Sequence, residues 1–482
     1  MNDLAVIPRR TDCQRKGARV CNRRERRYYK WPRQVAGASP GAYYHFSTFD
    51  KASSGIANET QDVPCVDVTT GSSFVPVAVI LWTTGLTANG FGQHYIVAVG
   101  MTDLTTHFAT CVSAQDNVEP TNTGRRHASK ALTITDHLNV LSAECNAAVQ
   151  GNGFRLTWTT ADTNVTLIHC VAFGGDITNA KLIVHNALTT TGNQSITGAG
   201  FKPDALFQLT ARLNVDPPAT AAEAFFSFGF AHADTAALEA TSICAIADDN
   251  TTAGVAASQL SDDNASPNIS LRNLSAKGGA AAQNGRATPV SMDADGYTQN
   301  WPQAAPNTFR IGVLFLKGGD YYIGHGTSPA STGTEAKTGH GFKPRGVMTL
   351  SANHAAQGLV ASVGSMICAA GGVADEGGVN GGYFDLGTLS FSEADRYTQS
   401  TKVIATASNI SPTVTTTEAD LSAFDTDGLT WDWTKASAGR YYTWIAVGDT
   451  PVAAAAGQPT MRRWGGVPGM VGAGRTMQGR GW

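Results

Sequence analysis

Two nearly identical segments carry acidic residues at a spacing that could do chemistry. Asp293-Ala-Asp-Gly-Tyr-Thr-Gln-Asn-Trp301 and Asp425-Thr-Asp-Gly-Leu-Thr-Trp-Asp-Trp433 each place two carboxylates two residues apart, directly before a glycine. Closely spaced carboxylates are typical of calcium loops, but calcium takes about six to eight oxygen ligands and each segment supplies too few. A tight hairpin turn explains the same pattern, because glycine takes the positive φ and the aspartates bond the local backbone. We therefore expect two hairpins and no metal site.

The chain shows no catalytic constellation of recognised spacing. It has no Gly-x-Ser-x-Gly elbow, no His-Glu-x-x-His helix and no glycine loop that could cradle phosphate. The 11 histidines are scattered, and His94, His232 and His340 have no carboxylate at a telling distance along the sequence. Two carboxylates for glycoside cleavage could come from distant parts of a chain, and the sequence singles out no pair. We predict that the protein is not an enzyme and takes no cofactor.

Three tryptophans occupy corresponding places in three segments: Trp158, Trp301 and Trp433. Exposed indoles at these positions would stack on sugars and make the chain a carbohydrate-binding array. A landmark that recurs in every segment more often serves the fold. Core packing is therefore the favoured interpretation, and glycan stacking is the alternative.

The tryptophan segments close a pattern that is written three times. Its opening landmarks are Ser73-Phe74-Val75-Pro76, Gly200-Phe201-Lys202-Pro203 and Gly341-Phe342-Lys343-Pro344, each followed by an apolar run. The three phenylalanines are 127 and 141 residues apart, close to the ~150 residues of an average domain. The repeat predicts three copies of one module.

Short runs rich in Val, Ile, Phe, Tyr and Trp indicate strands inside these modules. The clearest are Val75–Thr83, Tyr95–Met101, Leu206–Thr210, Phe225–Phe230, Phe309–Leu316 and Tyr441–Val447. Continuous apolar runs such as Val77–Trp82 predict strands that are buried on both faces or that face another module.

The predicted fold class is all-β, with three tandem β-sandwich, jelly-roll-like modules and extended arms at both ends. The predicted boundaries are a basic arm and connector at 1–64, modules at 65–182, 183–330 and 331–450, and a Gly/Arg/Trp-rich tail at 451–482.

Charge is distributed unevenly along the chain. Residues 1–34 carry 11 Lys/Arg and 3 Asp/Glu, whereas the rest carries 24 and 35. The body is therefore mildly acidic, and nucleic acid is an unlikely partner except through the basic arm. No apolar run approaches the ~18 residues of a membrane span. The eight cysteines show no zinc-site spacing, and those in apolar runs, such as Cys170, Cys244 and Cys368, are expected to be buried thiols.

Both terminal segments combine arginine with aromatic residues, a composition typical of protein–protein contacts. We expect them to anchor the chain to neighbouring proteins. The candidate anchoring residues are Arg23, Arg24, Arg26, Arg27, Tyr28, Tyr29, Trp31, Arg462, Arg463, Trp464, Arg475, Arg480 and Trp482.

The segment Arg462-Arg-Trp-Gly-Gly resembles the C-terminal tails of small proteins encoded among the structural genes of tailed bacteriophages. Many of those tails end in an Arg-Arg-aromatic-Gly-Gly stretch and a final Gly/Arg-aromatic, as Gly479-Arg-Gly-Trp482 does here. The tandem modules look like the β-sandwich units of phage fibres, collar appendages and head decorations.

The resemblance implies a structural protein of the virion, located in the tail, collar or neck, or in a fibre. It would be a homo-oligomer that binds other virion proteins and contacts a host-surface glycan through its loops. The alternatives are a lectin-like adhesin array and a capsid decoration protein.

Overall fold

The computed structural model describes residues 41–233, 238–250, 256–260, 270–275, 282–351, 358–361, 364–371, 377–385, 393–407 and 415–449. These residues form 33 β-strands joined by turns and loops, with no helix among them. The predicted all-β fold class is confirmed.

The strands fall into three consecutive groups of eleven. The first group contains β1 Ala42–Asp50, β2 Glu59–Pro64, β3 Ala78–Thr83, β4 Gly90–Gln93, β5 Tyr95–Thr102, β6 His107–Ala114, β7 Thr123–Ala128, β8 Leu132–Thr135, β9 Leu141–Val149, β10 Gly153–Thr160 and β11 Leu167–Gly175. The second contains β12 Asn179–Asn186, β13 Gly192–Thr197, β14 Ala205–Thr210, β15 Ala219–Ala222, β16 Ala224–Ala233, β17 Leu238–Ala247, β18 Ala256–Leu260, β19 Leu271–Ser275, β20 Ala282–Asp293, β21 Gly296–Gln303 and β22 Arg310–Lys317. The third contains β23 Asp320–Thr327, β24 Gly333–Thr338, β25 Pro344–Ser351, β26 Gly358–Ala361, β27 Gly364–Gly371, β28 Gly377–Asp385, β29 Glu393–Gln399, β30 Ile404–Ala407, β31 Thr415–Asp425, β32 Gly428–Lys435 and β33 Tyr441–Gly448.

Each group forms most of a seven-stranded antiparallel sheet and the whole of a four-stranded one, and the strand order is the same in all three groups. The large sheets run β1-β11-β3-β5-β6-β7-β15, β12-β22-β14-β16-β17-β18-β26 and β23-β33-β25-β27-β28-β29-β4. The small sheets run β2-β10-β9-β8, β13-β21-β20-β19 and β24-β32-β31-β30. The chain crosses between the two sheets of each group, and the two sheets enclose an apolar core, so each group is a β-sandwich.

The seventh strand of every large sheet comes from a different group. The second group lends β15 to the first, the third lends β26 to the second, and the first lends β4 to the third. The exchange therefore closes a ring of three sandwiches. Each lent strand also covers a sheet edge that would otherwise present unpaired backbone groups.

Apolar side chains fill the space inside each sandwich and also the space among the three. One core lies between the sheets of each group and contains the tryptophan of that group's repeat, Trp158, Trp301 or Trp433. A fourth core joins the opposite faces of all three large sheets through Phe173, Phe207, Ile445 and their neighbours.

This arrangement explains the continuous apolar runs. Every residue of β3, β5 and β14 is buried, since one face of each strand lies in a sandwich core and the other in the shared core. The prediction of strands buried on both faces, made from Val77–Trp82, is confirmed.

The pairing bears on the domain boundaries, which stay a prediction. β1 and β2 lie within the range assigned to arm and connector, yet they pair with β11 and β10. β12 begins at Asn179, shortly before the predicted start at 183, whereas the whole of β23, Asp320–Thr327, lies before the predicted start at 331. The described residues from 41 to 449 belong to one compact unit, as expected for sandwiches that share strands and a core.

Both Asp-x-Asp-Gly segments form the predicted hairpins. Asp293 pairs with Gly296 and Asp425 with Gly428, across turns of two residues. Gly296 and Gly428 have φ values of 136° and 146°. A Cβ on Gly428 would lie 1.8 Å from Lys337 O, so no larger residue fits.

The second aspartate of each turn does more than bond its own hairpin. Asp295 accepts hydrogen bonds from the backbone N–H of Gly198 and Gly200, and Asp427 accepts them from Gly339 and Gly341. The aspartate turn near the end of each repeat therefore binds the glycine segment that opens the same repeat, and these carboxylates stabilise the fold.

Candidate functional site

The anchoring residues predicted in the two arms lie outside the described residues. These are Arg23, Arg24, Arg26, Arg27, Tyr28, Tyr29, Trp31, Arg462, Arg463, Trp464, Arg475, Arg480 and Trp482. Their role stays a prediction.

The alternative of glycan stacking fails for the three repeated tryptophans, because Trp158, Trp301 and Trp433 are at most 1% exposed. Each indole donates its Nε1–H to a side-chain oxygen on the neighbouring strand: Trp158 to Gln61 at 3.2 Å, Trp301 to Gln194 at 2.9 Å and Trp433 to Glu335 at 2.9 Å. Ring faces packed in a core are closed to a sugar. The repeated position serves packing, as favoured from the sequence.

The first and last described segments meet at one end of the ring, which we call the base. The backbone N–H of Ala42 donates to Asp449 Oδ1 at 2.7 Å. The described chain therefore begins and ends at the same end of the ring. The first sandwich connects covalently to the second and the second to the third, whereas the third meets the first through noncovalent contacts: these contacts at the base, the pairing of β4 with β29 and the shared core.

An ion-pair network reinforces this closure at the base. Arg345 reaches Asp449 with Nε at 2.6 Å and with a second nitrogen at 2.5 Å, and reaches Asp67 at 3.2 Å. The Asp67 side chain is fully buried and also accepts hydrogen bonds from the backbone N–H of Tyr44 and Thr70. One guanidinium thus joins carboxylates from the first and third groups.

The opposite end of the ring is formed by loops, and we call it the loop end. β1 begins at the base with Ala42 and ends with Asp50, which pairs with Leu167. The backbone N–H of Leu167 donates to Leu86 O in the loop after β3. Two cavities lie at this end, each where a lent strand joins its host sheet.

We call these junctions seams: β15 joins β7 at the first seam and β4 joins β29 at the second. Equivalent hydrogen bonds are found at both. Where β15 joins β7, the backbone N–H of Thr123 donates to Asp249 of the second group at 2.7 Å. Where β4 joins β29, the backbone N–H of Ala394 donates to Asp116 of the first group at 3.0 Å. At both seams, an aspartate from another group accepts a hydrogen bond from a backbone N–H of the host strand.

The first seam holds the larger cavity, about 430 Å³. Arg125 of β7, Arg212 from the loop after β14 and Glu223 from the turn after β15 line it. Arg212 lies 3.1 Å and Arg125 3.5 Å from the same Glu223 carboxylate oxygen. Two guanidinium groups therefore share one carboxylate at this seam.

The electrostatics of this cavity follow from burial. The Arg125 side chain is only 10% exposed and that of Arg212 17%. Burial and, to a lesser extent, the neighbouring Arg212 lower the pKa of Arg125 to about 10, against the opposing effect of Glu223. Burial also lowers the pKa of Arg212, again against Glu223. Both groups remain protonated at neutral pH.

Arg212 is held firmly. Its guanidinium lies 4.7 Å from the centre of the Phe225 ring and donates to Leu274 O at 2.5 Å. Its backbone has φ of 54°, and the equivalent position of the first group is Gly85, with φ of 73°. An arginine in the left-handed region costs backbone energy, so the side-chain contacts offset a local strain.

The second seam holds a cavity of about 300 Å³ with different chemistry. Arg396, the counterpart of Arg125, lines it together with Asp136, His137 and Asp162. Its carboxylates are engaged: Asp162 pairs with Lys51 at 2.9 Å, and Asp136 accepts hydrogen bonds from its own turn.

A stacked histidine pair borders the second seam. The rings of His94 and His137 are 3.9 Å apart with an angle of 12° between their planes. His94 accepts a hydrogen bond from the backbone N–H of Asp116. Burial lowers the pKa of His94, and the adjacent His137 adds to the shift while Asp116 opposes it. Ring stacking and the bond from Asp116 give His94 a structural role at this seam.

Histidine contacts elsewhere differ in part from the expectation. The β16–β17 register sets His232 opposite Glu239, and the Nε2–Oε2 distance is 3.1 Å. Local spacing gave no sign of this pair. His340 instead accepts a hydrogen bond from the Trp444 indole at 3.3 Å.

Metal centres and membrane-spanning helices are two further classes of site. Within the ranges given above, no three His, Cys, Asp or Glu side chains are placed to hold a metal ion. In the same ranges no helix is long and apolar enough to cross a membrane. Cys170 and Cys244 are buried thiols as predicted, whereas the side chain of Cys368 lies outside the described residues.

The arginines of the first seam are not evident from the sequence. Arg125 looks like an ordinary strand residue, and its burial depends on a strand lent from another part of the chain. A signal existed only at Arg212, where an arginine follows the apolar β14 at a position that the first repeat gives to glycine.

Comparison with known proteins adds no family to this picture. No protein-family model matches the chain, and no curated protein matches it.

Proposed function

We propose that the protein is a non-enzymatic structural component of a tailed-phage particle. It would act as an appendage of the tail, of the collar or neck, or of a fibre, which the terminal arms anchor and which contacts the host surface through its loop end. One observation carries the proposal: the first and last described residues meet at the base, where the backbone N–H of Ala42 donates to Asp449. Attachment there leaves the loop end free.

The interlocked body supports a mechanical role. Each sandwich lends a strand to a neighbour, and all three contribute to the shared apolar core. Pulling one sandwich away would break a row of backbone hydrogen bonds and expose that core to water. Such a body resists separation when it is held at one end.

Incorporation into particles tests the anchoring. The test compares the wild-type chain, a chain with Arg23, Arg24, Arg26 and Arg27 changed to serine, and a chain with Arg462 and Arg463 changed to serine. The control is Arg155→Ser, which removes an exposed arginine of β10 from the body. Each is expressed with the other structural proteins of the particle and quantified by immunoblot in purified particles.

We expect the arm variants to melt like the wild type and to be depleted from particles, while the control is incorporated normally. Wild-type chain absent from particles, or arm variants incorporated at the control level, would refute the proposal. Immunogold labelling of the particles then distinguishes a tail or collar position from the alternative of a capsid decoration.

A second candidate function is carbohydrate binding by an adhesin. The three repeated tryptophans do not support it, since they are buried. The observation that favours it is the polar cavity of the first seam at the loop end.

A further inference from the structure

The cavity of the first seam carries more positive than negative charge. Arg125 and Arg212 face one carboxylate, that of Glu223. Buried charges are stable only when paired. Asp248, outside the lining, also attracts Arg212, whereas Arg125 shares Glu223 with Arg212 and lacks a full counter-charge of its own. A bound anion would supply it.

Two polar atoms in the walls of the same cavity lack partners. Among the described residues, none accepts a hydrogen bond from Arg125 Nε, and none donates to Asn284 Oδ1. Buried polar atoms without a partner are rare in folded proteins. A donor and an acceptor are therefore both unused around this cavity.

The remaining lining combines apolar side chains with several polar ones that are suited to hydroxyl groups. Asn214, Asn307 and Thr308 line the cavity beside the arginines. Amide and hydroxyl side chains both donate and accept hydrogen bonds, as sugar hydroxyls do. At about 430 Å³ the cavity is within the size range of small-molecule sites and exceeds the needs of a simple inorganic anion.

We propose that this cavity binds an acidic sugar, with the carboxylate of a uronic acid at Arg125 and Arg212, beside the Glu223 carboxylate, and the ring hydroxyls on the asparagine side chains. A planar carboxylate matches the fork of donors on a guanidinium. The second seam is not such a site, because its carboxylates surround a single arginine. This inference does not rest on a place in a virus particle.

Titration calorimetry on the full chain tests it, with D-glucuronate, D-glucose and inorganic phosphate as probes. We expect saturable binding of glucuronate and none of glucose. Arg212→Gly should weaken glucuronate binding at least tenfold, since a charge-assisted hydrogen bond contributes about 1.5–3 kcal/mol. Glycine occupies the equivalent first-group position at a similar φ, so this variant should keep the fold.

Two further variants sharpen the test. Glu223→Gln removes the competing carboxylate and should strengthen glucuronate binding severalfold, an effect that a purely structural ion pair would not produce. Arg155→Gln, which removes an exposed arginine elsewhere, should change nothing. Melting temperatures identify any variant that has unfolded, and Arg125→Gln replaces Arg212→Gly if the latter does so.

The outcomes are separable. No saturable binding of glucuronate at up to about 10 mM, or unchanged binding by both arginine variants, overturns the proposal. Equal binding of phosphate and glucuronate shows a generic anion site and overturns the assignment to a sugar. None of these results affects the anchoring proposal, which particle incorporation tests.

Discussion

The network that closes the ring at the base makes a quantitative prediction. Arg345→Ala removes the contacts of one guanidinium with Asp67 and Asp449. Breaking a buried ion pair costs about 3–5 kcal/mol. Asp67 keeps its hydrogen bonds from Tyr44 and Thr70, so the lower limit applies to it. Asp449 is 35% exposed, so its pair with Arg345 adds at most about 1 kcal/mol.

We therefore expect Arg345→Ala to destabilise the body by about 3–4 kcal/mol. The described residues from 41 to 449 belong to one compact unit. With an unfolding entropy of about 2 cal/mol/K per residue, that loss lowers the melting temperature by roughly 4 °C if the unit unfolds cooperatively. Differential scanning calorimetry at neutral pH measures it.

A matched control separates ring closure from the loss of any arginine. Arg155 forms an equally short two-point contact with Asp62, at 2.6 and 2.8 Å, but both side chains are exposed. Arg155→Ala should leave the melting temperature nearly unchanged. If Arg345→Ala and Arg155→Ala have the same melting temperature, the network does not hold the base together and the reasoning is wrong.

Three further predictions concern the cores and their pH dependence. Trp433→Phe removes the indole bond to Glu335 and should cost about 1–3 kcal/mol in chemical denaturation; an unchanged midpoint would contradict a structural role for the repeated tryptophan. Phe207→Ala opens a cavity in the shared core and should cost about 3–5 kcal/mol, whereas a loss below about 1 kcal/mol would show that this core is loosely packed. Burial lowers the pKa of His340 from 6.5 to about 4, and its bond from the Trp444 indole requires an unprotonated ring nitrogen. Above pH 6.5 the ring is neutral in both states, so its contribution to stability is lost as the pH falls from 6.5 towards 4. Melting temperatures across that range should fall less steeply for His340→Gln than for the wild type, and parallel curves would refute this assignment.

Much of the fold could be predicted from local pattern. Tyr95–Met101 and Phe309–Leu316 are apolar runs of strand length, and they became β5 and β22. The Asp-x-Asp-Gly turns specified two hairpins because glycine alone tolerates the required backbone there. These features depend on residues close together in the sequence, so local pattern is sufficient.

The lent strands could not be predicted in the same way. β4, Gly90–Gln93, contains two glycines and a single apolar residue, and it reads as loop. It becomes a strand because the edge of β29 supplies its hydrogen bonds. An edge partner some three hundred residues away leaves no periodic trace in a four-residue segment.

The candidate site depends on the same long-range pairing. The sequence alone determined that the chain is all-β, that its landmarks recur three times and that its apolar runs need burial on both faces. Tertiary structure decided that the outer faces of the apolar strands are buried in a core shared by all three sandwiches. It also decided which arginines meet at the first seam and that Ala42 contacts Asp449. The physical reason is that side-chain alternation and turn chemistry act over a few residues, whereas ring closure and a shared charge join residues that only the folded chain brings together.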